Sequence, residues 1–403
     1  MNSTRGIQVT MLNLTLVGVI GCVLRYTFLH PVTGINYGYL LHAHSHLAFL
    51  GWVFMALYVL LIYAYLPSGM QKRKYINLFI VLQIANLGML VTFPIMGYAA
   101  GSIVFSAVHA ITAIGFAWVF SREVQVTLSS RHEMSFKFIQ WALILMLVSN
   151  LAPFALGPVS AIQGKTDLYY SLIYFYLHFQ YNGWFTFVLL GLVLWQLERR
   201  GANTQTRLIK AGFAMKLVAV FPSYILSVLW TEPNLLWYVL GGLAALIQLI
   251  GLVCIIYFVV QEMAKSHLAD SLVQRILIWI GILAIVGQHL LMLLSAIPAL
   301  SSLAFSRNIV IAYLHMVLIG FVSVWLLFFF LKQGFVKENL ITRIGLALFL
   351  VAFVTTELVL VFQVYITEAS RWLFYLAIIQ LSGILCLTAN VKKINRHVAE
   401  GSY

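Results

Sequence analysis

Residues 235–260 read LLWYVLGGLAALIQLIGLVCIIYFVV and contain no charged side chain. At a rise of about 1.5 Å per residue, a helix of this length exceeds the roughly 30 Å thickness of a bilayer's hydrocarbon core. No water is present there to pair with backbone N–H and C=O groups, so an apolar segment in lipid must satisfy them internally, as a helix. This stretch therefore predicts a transmembrane helix.

The same pattern recurs along the whole chain, which is 62% apolar and only 9% charged. Connections are short, alternating barrel patterns are absent, and no block of sequence repeats visibly at the level of identity. We therefore predict an all-α integral membrane protein, a bundle of twelve transmembrane helices that forms a single domain over residues 1–403. The predicted spans are 8–29, 40–66, 76–98, 101–121, 136–157, 167–197, 209–230, 235–262, 274–297, 307–332, 339–362 and 370–391.

Lysine and arginine concentrate in every second connection, whereas the opposite loops hold only Lys165, Arg307 and Arg371. By the positive-inside rule, this alternation predicts that both termini are cytoplasmic. The net charge of +13 then reflects topology and contact with anionic lipid, and a nucleic-acid partner is not expected. The basic side carries Lys72, Arg73, Lys74, Arg122, Arg131, Lys137, Arg199, Arg200, Arg207, Lys210, Lys265, Arg275, Lys332, Lys337, Arg343, Lys392, Lys393 and Arg396.

Histidines recur at similar depths inside the predicted spans. Five of them lie about six to eleven residues from the outer end of their span, roughly 9–17 Å below the surface. A sixth, His42, is one turn further out than His46 on the same helix face. Buried imidazoles are costly in lipid and are common ligands of haem iron, copper and zinc, so the pattern predicts a haem or metal centre. The alternative for each is a hydrogen bond between helices. The five are His46, His109, His178, His289 and His315.

Three short stretches carry a family resemblance. The segment H42-A-H-S-H-L-A-F-L-G-W52 resembles the second helix of subunit I of the haem–copper oxidases and nitric oxide reductases, where a low-spin haem takes a histidine. The segment Y313-L-H-M-V-L-I-G320 is similar to that family's tenth-helix H-x-H-x-V-L motif. The segment H178-F-Q-Y-N-G-W184 falls in the sixth helix, where the family places a copper ligand followed by a tyrosine.

The resemblance implies a set of cofactor ligands. His46 and His315 would bind a non-covalent haem b. His42 would replace His46 if the second helix lies deeper in the membrane than the predicted span 40–66 places it. Axial ligation by two histidines favours electron transfer over gas binding. Tyr181, about one turn after His178, is a candidate proton donor beside a metal-bound ligand.

The departures from the family pattern are equally specific. The seventh span, K216-L-V-A-V-F-P-S-Y-I-L-S-V-L-W230, lacks the usual His-His copper pair, and Tyr313 stands where the catalytic haem's proximal histidine is expected. His109 and His289 have no counterparts in the family pattern. We predict that they converge with His178 on a copper- or zinc-type centre, or line a second haem pocket.

A looser resemblance links the H-A-H opening to the NnrS family of twelve-helix haem- and copper-binding proteins, although the glutamate that usually follows there is missing. Glu357, five residues inside the outer end of the eleventh span, is a candidate proton-handling group or histidine orienter.

Three functions remain open at this stage. The first is a haem-binding protein of a prokaryotic cytoplasmic (inner) membrane, similar to the haem–copper oxidase superfamily, which passes electrons from quinol or which reduces, detoxifies or senses nitric oxide or dioxygen; oxidoreductase activity is one form of this function. A partner subunit or a homo-oligomer would fit this function. The second is a secondary transporter, although transporter sites usually lie near the bilayer midplane and these histidines lie off-centre. The third is a haem- or copper-binding assembly factor for a respiratory complex, without turnover.

Overall fold

The structure, a computed structural model, describes residues 1–128 and 132–392. Within these ranges twelve helices are long and apolar enough to cross a membrane, and the only strand-like pairing is an isolated bridge between Val336 and Val391. The prediction of an all-α twelve-helix membrane protein is confirmed. Arg131, Lys393 and Arg396 of the basic pattern lie outside the described residues.

The helices run somewhat beyond the apolar spans. The fifth, for example, covers Glu133–Gln163 and not only 136–157, because polar side chains at helix ends reach water while the backbone stays helical. The twelve are α1 (Ser3–Leu29), α2 (Tyr37–Tyr65), α3 (Arg73–Met96), α4 (Ala100–Thr127), α5 (Glu133–Gln163), α6 (Asp167–Arg199), α7 (Arg207–Thr231), α8 (Leu235–Lys265), α9 (Leu272–Ser295), α10 (Arg307–Lys332), α11 (Leu340–Val361) and α12 (Ala369–Ala389).

Side-chain oxygens fix the starts of several helices. At each of these starts the oxygen accepts a hydrogen bond from the backbone N–H three residues later, which satisfies a donor that has no partner inside the helix. The sequence therefore marks these boundaries with short polar residues. The capping residues are Asn2, Asn36, Thr206, Ser271 and Asn339.

Three of the helices are far more buried than the rest. The apolar windows of α2, α6 and α10 are 83%, 94% and 72% buried, whereas those of the other nine helices are 28–44% buried. The other nine expose rows of leucine, isoleucine and valine, as expected of helices that face lipid. The three buried helices are therefore the places where polar side chains are best shielded from both lipid and water.

The three buried helices also share a motif. In each, the helix widens into a π-helical segment directly after a histidine: Leu47–Phe54 after His46, Phe179–Phe185 after His178 and Met316–Ser323 after His315. A glycine stands five residues after each histidine and an aromatic residue six after it. The motif recurs in every fourth helix, so the chain does contain a repeat, one too short to be seen at the level of identity. π-Helical turns are rare and are often found at functional sites.

The helices group into two compact units. One contains residues 1–106 and the described residues from 326 onward, and in it α1 packs on α2 and α12 while α11 packs on α12. The other contains residues 107–325, in which α5 packs on α6, α7 on α8, and α9 on α10. A single domain over the whole chain stays a prediction.

Two helix pairs cross through glycines. A Cβ on Gly345 of α11 would lie 2.9 Å from the carbonyl oxygen of Gly383 in α12, and a Cβ on Gly383 would lie 2.6 Å from the oxygen of Gly345. Gly212 of α7 and Gly251 of α8 meet in the same reciprocal way, at 2.8 and 2.9 Å. Only glycine lets the two backbones approach this closely.

We expect Gly345→Ala to destabilise the protein by about 1–3 kcal/mol, because the new methyl group forces α11 and α12 apart. Gly115→Ala in α4 is the matched control, since a Cβ there meets nothing within 4 Å. That variant should instead gain about 0.5–1 kcal/mol of helix propensity. Thermal unfolding in detergent measures both changes, and a Gly345→Ala protein as stable as the Gly115→Ala protein would contradict the tight crossing.

The orientation of the bundle stays a prediction of the charge pattern. We expect reporter fusions at Lys74 and Lys165 to lie on opposite sides of the membrane, with Lys74 cytoplasmic. Activity of one compartment-specific reporter at both positions would contradict the assignment, and with it the depths inferred for the histidines.

Candidate functional site

Hydrogen bonding fixes the tautomer of His46 and leaves its Nε2 as an acceptor. Its Nδ1 lies 2.8 Å from the carbonyl oxygen of His42, and because a carbonyl can only accept, Nδ1 carries the proton. Nε2 therefore holds a lone pair, and its hydrogen-bond contact is the Tyr98 hydroxyl at 3.5 Å, the outer limit for such a bond. The ring packs on Phe93 of α3 at 4.4 Å between centroids. This is the tautomer that a haem or metal ligand requires.

His42 faces the same aromatic pair. Its ring meets Tyr98 edge-on at 4.6 Å and lies 6.1 Å from Phe93. The prediction that His42 and His46 share one face of α2 is thereby confirmed.

Amide side chains support the π-helical segment next to His46. The Asn13 side chain donates to the carbonyl of Gly51 at 2.7 Å, and its amide pairs reciprocally with that of Gln83 through two bonds of 2.9 Å. Asn86 donates to the carbonyl of Leu50 at 3.4 Å. The wider turn is thus held by side chains of α1 and α3, which fixes the direction in which His46 points.

A second polar group lies inside the other unit and centres on Lys216 of α7, which is fully buried. The Nδ1 of His289 lies 2.8 Å from the carbonyl of Ile285 and donates to it, so its Nε2 accepts from the Lys216 ammonium or amine group at 2.7 Å. Lys216 also donates to the Gln248 side-chain oxygen at 3.0 Å, and the Gln248 amide donates to Ser223 at 2.6 Å. Three helices are joined through one lysine.

His178 belongs to the same network. Its Nε2 donates to the carbonyl of Val220 at 2.8 Å, and its Nδ1 accepts from Asn182 at 3.1 Å and lies 3.2 Å from the Ser227 hydroxyl. Gln288 of α9 donates to the Asn182 side-chain oxygen at 2.7 Å. The connection to Lys216 runs through Ser223, which donates to the same Val220 carbonyl. We call the ten residues of these two paragraphs the Lys216 network.

Tyr181 lies next to this network, as expected from its position one turn after His178. Its side chain is 6% exposed, and its hydroxyl interacts with Ser227, the residue that also faces His178. The Tyr313 ring of α10 meets it edge-on at 5.8 Å. A phenol is therefore available beside His178 to donate or accept a proton.

The three-histidine metal centre does not fit the arrangement of its proposed ligands. Both ring nitrogens of His178 and of His289 are used by protein groups, so a metal would have to break a hydrogen bond at each. His109 is also buried, 2% exposed. Within the described residues no three His, Cys, Asp or Glu side chains come close enough to hold a metal ion. Convergence on a metal stays a prediction, and the hydrogen bonds favour the alternative of contacts between helices.

Glu357 and His315 are both half-buried. Glu357 of α11 interacts electrostatically with Arg25 of α1, which places a cation beside the carboxylate. His315 ends the α-helical part of α10 and opens its π-helical segment, as His46 does in α2.

Sequence reasoning missed the residues that join the network. Lys216 lies nine residues into α7, and a lysine that deep in a span is itself a functional signal. Lysine has no place in the family's histidine-pair pattern, so the resemblance did not point to it. Asn182, Gln248 and Gln288 are the other missed members, and single amides within long apolar helices give a much weaker signal.

No protein-family model matches the sequence, and no curated protein matches it significantly.

Proposed function

We propose that this protein is a haem-binding integral membrane protein that transfers electrons or handles a small gas, nitric oxide or dioxygen. One observation carries the proposal, the imidazole of His46. Its Nδ1–H is fixed on a backbone carbonyl and its Nε2 lone pair lies among aromatic rings. Histidine ligands of metals characteristically donate their second ring nitrogen to such a carbonyl.

The proposed haem ligands are His46 and His315, which stand at the same position of the repeated motif. When bound, the haem would supply reversible one-electron transfer. The expected haem is non-covalent, because the sequence has no C-x-x-C-H motif for covalent attachment, and we propose that it is haem b. Quinol is the expected electron donor, and a partner subunit or a second copy of the chain is compatible with this role.

The Lys216 network supports a reaction that consumes protons, as reduction of dioxygen or nitric oxide does. Lysine, histidine and tyrosine all exchange protons; here Lys216 lies 2.7 Å from His289, and Tyr181 and His178 both contact Ser227. Tyr181 is the proposed proton donor closest to His178. Copper or another transition metal remains part of the proposal only if it displaces the hydrogen bonds of His178 and His289.

A secondary transporter is the second candidate, and one observation favours it. The helix α7 is α-helical to Val220 and continues as a 3₁₀-helix from Pro222 to Thr231, which begins six residues after Lys216. Transporters often place polar groups at such interruptions.

A reduced-minus-oxidised absorption spectrum of the detergent-purified protein separates the two candidates. The haem proposal expects sharp low-spin bands at about one haem per chain, and pyridine extraction should identify haem b. A featureless spectrum from protein expressed with ample haem would contradict it and leave the transporter as the better proposal.

A further inference from the structure

A cavity of about 480 Å³ opens at the end of the second unit where the sequence concentrates its basic residues. Its walls come from the end of α4, the start of α5, the loop before α7 and the start of α7. This volume is within the range of about 300–1,000 Å³ that is typical of ligand sites. Its described lining contains none of the candidate-site histidines and no member of the Lys216 network, so the proposed function does not account for it.

The start of α5 forms one wall of the cavity, and this wall changes from charged to aromatic along the helix. Glu133, Lys137 and Trp141 follow at intervals of four residues, so they line one face of the helix from its end into the membrane. Phe136 adds a buried apolar surface. The charged residues lie at the end of the helix, and Trp141 lies two turns after Glu133. This order matches a lipid at the membrane interface, where the headgroup is polar and the acyl chains begin below it.

The charges favour a ligand with one negative charge. Lys137 and Lys210 line the cavity, and within the described residues neither is paired with a carboxylate: the ammonium of Lys137 lies 5.2 Å from the centre of the Phe213 ring. Among the described lining residues Glu133 is the single acid, so these residues together carry a net charge of about +1. Its carboxylate already accepts a hydrogen bond from Gln205 at 3.1 Å and could accept another from a ligand hydroxyl.

The walls are held in place independently of any ligand. Glu198, fully buried at the end of α6, accepts from the backbone N–H of Ser135 at 3.1 Å and from the hydroxyl of Thr204 at 2.5 Å. It also lies 3.1 Å from the ring nitrogen of His132. These contacts tie the start of α5 to the loop before α7, so both sides of the cavity keep their spacing.

We propose that this cavity binds the headgroup of an anionic phospholipid, a phosphodiester with one negative charge and hydroxyl donors, as in phosphatidylglycerol. Lys137 and Lys210 bind the phosphodiester oxygens, and Glu133 accepts from the glycerol hydroxyls. The acyl chains leave past Trp141 into the bilayer. Basic pockets at the ends of transmembrane helices are suited to such headgroups.

The test compares the intact protein with Lys137→Gln/Lys210→Gln, after detergent washing and addition of phosphatidylglycerol. Lipid bound per chain is measured by native mass spectrometry. Each lysine near an anionic headgroup contributes about fivefold, so the double variant should bind about 30-fold more weakly. The matched control Lys72→Gln/Lys74→Gln removes the same charge at another basic connection and should bind as the unmodified protein does.

If the lipid-free double variant unfolds at the same temperature as the unmodified protein, it is folded. If it is not folded, the Lys137→Gln single variant takes its place in the test. Equal loss in both double variants would overturn the proposal, because general surface charge would then explain binding. Equal binding of phosphatidylcholine would overturn it as well. If inorganic phosphate displaces the lipid at equal concentration, the site binds free phosphate, and the lipid proposal is wrong.

Discussion

Replacing His46 by alanine is expected to abolish the low-spin haem spectrum of the purified protein. The substitution removes the only ring nitrogen at that position that is both deprotonated and turned toward the Phe93 and Tyr98 rings. Losing one axial ligand either opens the iron or releases the porphyrin. The expected result is therefore a change to high-spin bands or loss of all haem bands, measured by the reduced-minus-oxidised spectrum.

His315→Ala should give the same loss, because the proposal needs both axial ligands. His44→Ala is the matched control: His44 lies in the same five-residue segment, but its ring packs against α1, 3.4 Å from where a Cβ on Gly21 would lie. The control should keep the spectrum. Retained low-spin bands in either His46→Ala or His315→Ala would defeat the ligand assignment, and loss in all three variants would point to misfolding.

Replacing Lys216 by methionine is expected to destabilise the protein by about 2–4 kcal/mol. Methionine fills a similar volume but leaves His289 Nε2 and the Gln248 oxygen without a donor, and each unpaired buried acceptor costs about 1–2 kcal/mol. Thermal unfolding in detergent gives the change, and Lys337→Met, at an exposed lysine outside the network, serves as the control.

A double-mutant cycle with His289→Leu identifies the cause. If Lys216 stabilises the fold through this bond, the double variant should lose about 1 kcal/mol or more less unfolding free energy than the two single variants lose together. The reason is that removing both partners leaves one fewer group unpaired. Strict additivity would contradict the bond. A Lys216→Met protein more stable than the unmodified one would mean that burying the lysine costs more than its bonds return.

The twelve helices could be predicted from sequence because lipid leaves the backbone almost no other choice. Each apolar run had to be a helix, and its ends shifted, as with α5, where polar residues continue the helix into the interface. The π-helical segments of α2, α6 and α10 and the 3₁₀ segment of α7 were not predicted. The shared face of His42 and His46 could also be predicted, since it follows from the helical turn alone.

The Lys216 network could not be predicted, because it depends on which helices are neighbours. Spacing along the chain cannot show that Lys216 of α7 meets His289 of α9, or that Gln288 reaches Asn182. The same gap explains the three-histidine site. Similar depth suggested convergence, whereas the ring nitrogens of His178 and His289 already serve backbone and side-chain partners.

The π-helical segments have a consequence for how this sequence tolerates insertions and deletions. A π-helical turn holds about one residue more than an α-helical turn, because its hydrogen bonds span five residues instead of four. Deleting one residue from Leu47–Phe54 would leave the helix long enough to cross the membrane. The segment would close to an ordinary α-helix and the side chains from Met55 to Tyr65 would keep their neighbours, whereas deleting one residue after Phe54 would rotate the rest of the helix by about 100°. In α2, α6 and α10 the chain therefore carries three segments that can lose one residue without rotating the helix that follows, and a histidine stands directly before each.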